Sequence, residues 1–158
     1  MIFKIRELEP AEYGILEVFL YQAIFIPEGG PLPPADMIKK PELQVYISDF
    51  GKRTGDTAFV AEVDHKIVGA VWARIMDDYG HIDDKTPSIA ISLYKDYRNY
   101  GIGTAFMWTI LGALKQKGYC QASLAVQKAN YAVRMYEKVG FQIIDENDEE
   151  YIMKCELH

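Results

Sequence analysis

Along the chain the spacing of apolar positions changes several times, and each change marks an element. "IFKIREL", Ile2 to Leu8, alternates apolar and polar residues as a strand does, and after Pro10 "PAEYGILEVFLYQAIF" spaces its apolar residues as a helix would. "IPEGGPLPP", Ile26 to Pro34, is a stiff Pro/Gly loop. "ADMIKKPELQVYISDFGK" predicts one or two short helices interrupted at Pro41. In "TAFVAEVDHKIVGAVWARI" two β-rich runs flank Asp64 to Lys66, which predicts a tight hairpin. "MDDYGHIDDKTP" is a polar loop with four aspartates, and "SIAISLY" is a fourth strand, apolar enough to lie centrally in a sheet.

A helix is predicted from Gly101 to about Lys117, a fifth strand over "QASLAVQ", and a helix over "NYAVRMYEKVG" that stops at Gly140. "FQII" and "EEYIMKCEL" close the chain as two strands. The order β α α β β β α β α β β predicts a mixed α/β fold. Its two strand-helix-strand passages predict some parallel pairing among antiparallel neighbours. With 158 residues the chain suits one domain, 1–158, and its 49% apolar and 25% charged residues exclude disorder and fibrous repeats.

Charge sharpens this picture. The net charge of −6 argues against a nucleic-acid partner, yet Lys95 to Lys138 holds seven basic residues against two acidic ones, a local +5 that leaves −11 for the rest. A basic segment in an acidic chain suits a small ligand with several phosphates. The same lysines also suit the solvated faces of helices, above all Lys115 and Lys117. Cys120 and Cys155 have no CxxC spacing, so neither a disulfide framework nor a metal site is expected. Met1 to Leu8 lacks a signal-like apolar core, and the longest uncharged run, Asn99 to Leu114, is shorter than the roughly 20 residues that span a bilayer. A cytoplasmic protein with no membrane partner is expected.

The candidate chemistry starts at "DYRNYGIGTAF", Asp96 to Phe106. Gly101 and Gly103 let backbone amides approach a ligand, the helix that follows presents a partial positive charge, and Arg98 adds a full one. Together they would cradle a pyrophosphate. "GIGTAF" has Phe106 where the GxGxxG dinucleotide fingerprint needs glycine, and no GxxxxGK[ST] occurs, so NAD and ATP are disfavoured.

Taken with "LAVQKANYAVRMYEKVGF", Leu124 to Phe141, the stretch "ISLYKDYRNYGIGTAF" resembles the acetyl-CoA motif of the GNAT superfamily of N-acetyltransferases. The first segment resembles that family's strand, asparagine, helix, tyrosine and terminal "GF". The resemblance is close over Ile91 to Phe141 and looser over the rest. It implies a GNAT-type central mixed sheet of about seven strands flanked by about four helices. It also implies acetyl-CoA as cosubstrate without a metal, and direct transfer of the acetyl group to a primary amine of a small molecule or peptide. A homodimer is left open.

By position, the resemblance implies a splay between the fourth and fifth strands that holds the pantetheine arm. The Leu93 amide would then polarise the thioester carbonyl, beside that residue's ordinary part in the core. Arg98, Asn99, Tyr100, Gly101, Ile102, Gly103 and Thr104 match the pyrophosphate loop, where backbone makes most contacts and Arg98 supplies charge. Asn130 matches an asparagine that touches the cofactor arm, and as a favoured N-cap it equally suits capping. Tyr136 matches the tyrosine that protonates the departing thiolate.

The fourth strand lacks the acidic residue that serves many relatives as base, leaving Asp77, Asp78, His81 or Asp83, through a water. That absence favours the alternative of a non-catalytic acyl-CoA-binding sensor module, whereas Tyr136 favours an enzyme. Tyr21 and Glu28 would border the acceptor side by analogy, and the four aspartates of "DDYGHIDD" would either attract a cationic amine or form solvated surface.

Overall fold

The runs of alternating and continuous apolar residues pair as one seven-stranded sheet in the order β1-β2-β3-β4-β5-β7-β6. Its strands are β1 (Lys4–Glu7), β2 (Thr57–Val63), β3 (Lys66–Arg74), β4 (Ser88–Leu93), β5 (Gln121–Gln127), β6 (Gln142–Glu146) and β7 (Glu150–Glu156). This is a computed structural model that describes residues 1–26 and 29–157, so Glu28 lies outside the described residues. The α-helices are α1 (Leu16–Ala23), α2 (Pro41–Gln44), α3 (Ile102–Gln116) and α4 (Ala132–Lys138).

Local chemistry explains where the elements begin and turn. The β2–β3 hairpin closes through Asp64 and His65, both with positive φ (50° and 65°), so its two-residue loop is of the mirror-image type that matches strand twist. Lys40 is extended (φ −61°, ψ 139°) because it precedes Pro41, which splits the segment into a 3₁₀ turn over Ala35–Lys39 and α2. The helix predicted from Pro10 opens instead as a 3₁₀ turn, Pro10–Ile15, before α1. There the Glu9 and Glu12 side chains and backbones cap one another, and Arg6 grips the Glu12 carboxylate at 2.8 Å.

Only one of the two strand-helix-strand passages makes a parallel pair. β4 and β5, joined through α3, run parallel, but β7 inserts antiparallel between β5 and β6, so the passage through α4 ends one strand away. The sheet buries both faces. α3 and α4 cover one with Ile102, Phe106, Ile110 and Tyr136 against Ile89, Leu93, Leu124 and Val126. On the other, Leu16, Phe19 and Leu20 of α1 pack with Trp72, Val60 and Phe50. Arg74, fully buried, meets Asp56 at 2.8 Å and the Ser48 carbonyl at 2.8 Å, so the charge is paired and its donors are used.

Candidate functional site

β4 and β5 meet as a parallel pair at a single position, Ser88 opposite Ser123, and from there to their C-terminal ends no further register joins them. The sheet therefore opens as a wedge whose vertex is at Ser88 and Ser123. Ala90 and Ile91, in the middle of a central strand, are only half-buried, and so is Ala125 across the gap.

Which backbone groups face the wedge follows from the antiparallel ladder on the other side of β4. Facing residues alternate between pairs that exchange hydrogen bonds and pairs that do not. The Tyr94 amide donates to the Val68 carbonyl at 3.0 Å, so Tyr94, Ser92 and Ala90 turn their polar groups to β3. Ile91 and Leu93 turn theirs the opposite way, towards a strand that has splayed out of reach. Two amides are thus presented to the wedge. The Leu93 amide was legible by position, whereas Ile91, nearer the vertex, was not singled out. Its signal was present in "ISL", where alternate residues of one strand must face the same edge.

The loop after β4 supplies the wedge's mouth. Asn99 and Gly101 both adopt positive φ (68° and 86°), which turns the chain sharply on either side of Tyr100. A Cβ built on Gly101 would meet nothing within 4 Å, so the glycine serves backbone conformation and leaves its outer side open. The first bond of α3 runs from the Ala105 amide to the Gly101 carbonyl at 3.1 Å, so the amides of Ile102, Gly103 and Thr104 are unclaimed by the helix. They point out of a helix N-terminus, where partial positive charge gathers. Ile102 itself is fully buried, so only its backbone can reach a ligand. Tyr100 and Thr104 are exposed.

Gly103 has a second role that the sequence reading did not include. A Cβ there would approach the Met135 Sδ to 3.1 Å, so the bare glycine lets α4 close on α3. Arg98 is likewise committed in part, its Nε and Nη2 donating to the Leu93 carbonyl at 3.2 and 3.1 Å. Its remaining donors and its charge stay at the loop. Asn130 is a cap: its Oδ1 accepts from the Ala132 amide at 2.9 Å, leaving its amide NH₂ without a partner among the described residues.

Tyr136 is 7% exposed and shares one apolar cluster with Leu93 and Val126, which flank the wedge. Burial pushes its phenol well above the ordinary value of 10, with Tyr131 adding to the effect. The hydroxyl has no hydrogen-bond partner among the described residues, and none of their sealed polar side-chain atoms lacks one. It therefore opens on space that solvent or a ligand can enter.

The four aspartates separate in space. Asp83 accepts from Lys85 and Thr86 within its own turn, which holds its carboxyl below the usual range. Asp77 and Asp84 are exposed. Asp78 alone turns inward, accepting from Ser88 Oγ at 2.8 Å at the vertex. His81 contacts the Met76 carbonyl at 2.8 Å, and Tyr21 donates to the Pro33 carbonyl at 2.6 Å, so both brace loops. Two surface clefts, about 400 Å³ beside Pro34 and Lys40 and about 450 Å³ beside Arg53 and Asp84, are separate from the wedge.

Comparison with known proteins agrees with this fold. Residues 20–141 match the Acetyltransferase (GNAT) family. The chain is 37% identical over 87 residues to the "Probable N-acetyltransferase camello" of Xenopus tropicalis, an alignment covering 53% of this chain and 37% of that protein. It is 32% identical over 92 residues to an N-alpha-acetyltransferase of Sulfurisphaera tokodaii, covering 53% and 55%. The chain thus spans about a third to a half of these relatives' lengths. Among solved structures, PaiA N-acetyltransferase from Thermoplasma acidophilum in complex with coenzyme A superposes with a TM-score of 0.72 at 18% identity, over 99% of both chains. A GNAT acetyltransferase from Streptococcus pneumoniae superposes with a TM-score of 0.70 at 21% identity, over 99% of this chain and 100% of that one. The chain belongs to the GNAT family of acetyltransferases.

Proposed function

We propose that the chain is an acetyl-CoA-dependent N-acetyltransferase that acylates a primary amine of a small molecule or peptide. The observation that carries this reading is the wedge, which presents the Ile91 and Leu93 amides to an open gap beneath a helix N-terminus. Free strand edges inside a sheet are costly unless something pairs with them. An extended amide-bearing arm fits as that partner, and a pyrophosphate fits the Ile102 to Thr104 amides beside Arg98. The N-acetyltransferase names of the similar proteins support an amine as acceptor.

Acetyl-CoA supplies an acetyl group already activated as a thioester. The chain's own part is position and charge. An amide at Ile91 or Leu93 stabilises negative charge that develops on the carbonyl oxygen as the amine attacks. Tyr136 keeps its proton at neutral pH and offers it to the sulfur as the C–S bond breaks. A thiol has a reference value of about 8.5 against about 10 for a phenol, so donation works only where the apolar surroundings also disfavour the thiolate.

Acetyl-CoA-dependent thiol release, measured across amino acids, polyamines, aminoglycosides and peptides, tests the reading. Turnover with at least one class is expected. Tight binding of acetyl-CoA without any turnover would make the chain an acyl-CoA-binding module instead.

A further inference from the structure

From the vertex of the wedge we infer that Asp78 is the catalytic base, the group that takes the proton of the acceptor amine, with Ser88 holding it in place. The inference rests on the transferase reading above.

An alkylamine with a reference value of about 10.4 is almost wholly protonated at neutral pH and cannot attack until it loses a proton. No carboxylate stands on β4 to accept it. The structure supplies one from the neighbouring loop. Even-numbered residues of β4 face α1, as the Ser92 hydroxyl shows by donating to the Phe19 carbonyl at 2.6 Å. Ser88 shares that face, and its bond to Asp78 therefore puts the carboxylate on the side of the sheet opposite α3 and α4. Ile91 lies three residues along the strand from Ser88, about 10 Å at the usual strand rise, which a bound amine and one water bridge.

The small side chains of Ala90 and Ala125 line the two strands between these points and leave room for an acceptor. Asp78 is held there by packing as well as by hydrogen bonds. Gly80, two residues on, lies so close to β5 that a Cβ would come within 2.9 Å of the Leu124 carbonyl carbon, and its own carbonyl accepts from Ser123 Oγ at 2.8 Å.

The groups around the carboxylate suit a base. Ser88 Oγ donates to it at 2.8 Å, and Tyr46, in the turn after α2, lies near it. Tyr79 from the same loop and Glu150 from β7 act on Tyr46, and Glu42 from α2 acts on Tyr79. No cation pairs with Asp78 among the described residues, so nothing neutralises it. Burial raises the Asp78 carboxyl above the ordinary 3.8, the direction that makes a carboxylate a better proton acceptor. In the step, one N–H bond of the ammonium breaks and its proton bonds to a carboxylate oxygen, directly or across a water. The amine attacks as a neutral nucleophile, the second proton its nitrogen sheds as the amide forms replaces the one Tyr136 gives to the sulfur, and the carboxylic acid returns its proton to solvent after product leaves. Ser88 touches Asp78 and not the amine, which makes it a positioning residue.

The test uses the full chain charged with acetyl-CoA and two acceptors at high concentration: ethylamine, which is protonated at neutral pH, and hydroxylamine, which is mostly neutral there. Asp78→Asn retains an oxygen for Ser88. It should lower the rate with ethylamine by about 100-fold, a typical contribution of general base catalysis, and with hydroxylamine only a few-fold. Acetyl-CoA affinity by calorimetry should not change. Ser88→Ala removes the donor to the carboxylate, so the acidic limb of the ethylamine rate should move to higher pH while the hydroxylamine rate stays level. Equal losses with both acceptors, or none with either, would overturn the assignment and leave Asp78 as a brace. If Asp78→Asn fails to fold, an unmoved pH limb in Ser88→Ala overturns it on its own. A wild type that binds acetyl-CoA yet transfers to neither amine nor to any class of the acceptor panel overturns the transferase reading, and the base with it.

Discussion

Arg98 donates twice to the main-chain carbonyl of Leu93, at 3.1 and 3.2 Å, so the residue that brings charge to the loop opening α3 also ties that loop to the end of β4. The carbonyl it engages belongs to a residue whose polar groups face the wedge. Loop, strand end and wedge are consequently one mechanical unit. The charge at the loop and the amide at Leu93 are set by the same pair of bonds.

Arg98→Ala should therefore weaken acetyl-CoA binding and loosen the fold together. Hydrogen bonds from a charged group contribute about 1.5–3 kcal/mol, so an affinity loss of about 10- to 100-fold is expected, with a fall in melting temperature even without ligand. Calorimetry and thermal unfolding of the same sample measure both. An affinity loss with an unchanged apo melting temperature would mean that the bond to Leu93 is dispensable.

Gly101 and Gly103 should respond differently to substitution. Gly101→Ala places a Cβ in open space but at φ 86°, so it should cost about 1–2 kcal/mol of stability from backbone strain alone. Gly103→Val drives into the Met135 Sδ, and Met135→Ala in the same chain should recover much of the lost stability. Chemical denaturation of the two single variants and the double variant reads the difference.

Tyr136→Phe keeps the ring that packs against Phe141, with centroids 6.1 Å apart, and removes one hydroxyl. The acetyl-CoA dissociation constant should hardly move, and the chemical step should slow by about 100-fold, the low end for general acid catalysis. Single-turnover transfer measures that step. An unchanged rate would return Tyr136 to the core and the proton to solvent.

Glu12 should govern stability in acid. The Arg6 guanidinium and the Glu9 amide hold its carboxyl at about 2 against an ordinary 4.5. A lowered value means that the folded state binds fewer protons, so this contribution is full above about pH 4.5 and is lost as the pH falls towards about 2. Glu12→Gln should flatten that part of the stability curve, read by denaturant titration at each pH. Tyr136 has the opposite sign: its raised phenol lets the unfolded chain release a proton first, so stability should fall as the pH rises past about 10.

The sequence by itself determined the elements and the backbone of the loop that opens α3, because both depend on short-range rules. Alternating residues paired as strands. Pro41 broke a helix, Gly101 took the left-handed conformation, and unclaimed amides followed at the start of α3. What only the tertiary structure decided were the matters in which distant residues meet. Nothing in "FQII" or "EEYIMKCEL" says that β7 inserts between β5 and β6, since strand order is set by packing across the whole sheet. The same holds for the wedge, which exists because β5 leaves β4 after Ser88 and Ser123. Met135 gives Gly103 its packing role, and Leu93 claims two of the five Arg98 donors. Among four aspartates in one polar loop, sequence has no means to choose, because all four look alike in a line. Burial and the Ser88 hydroxyl single out Asp78, since both are products of a loop folding back onto the vertex of the sheet.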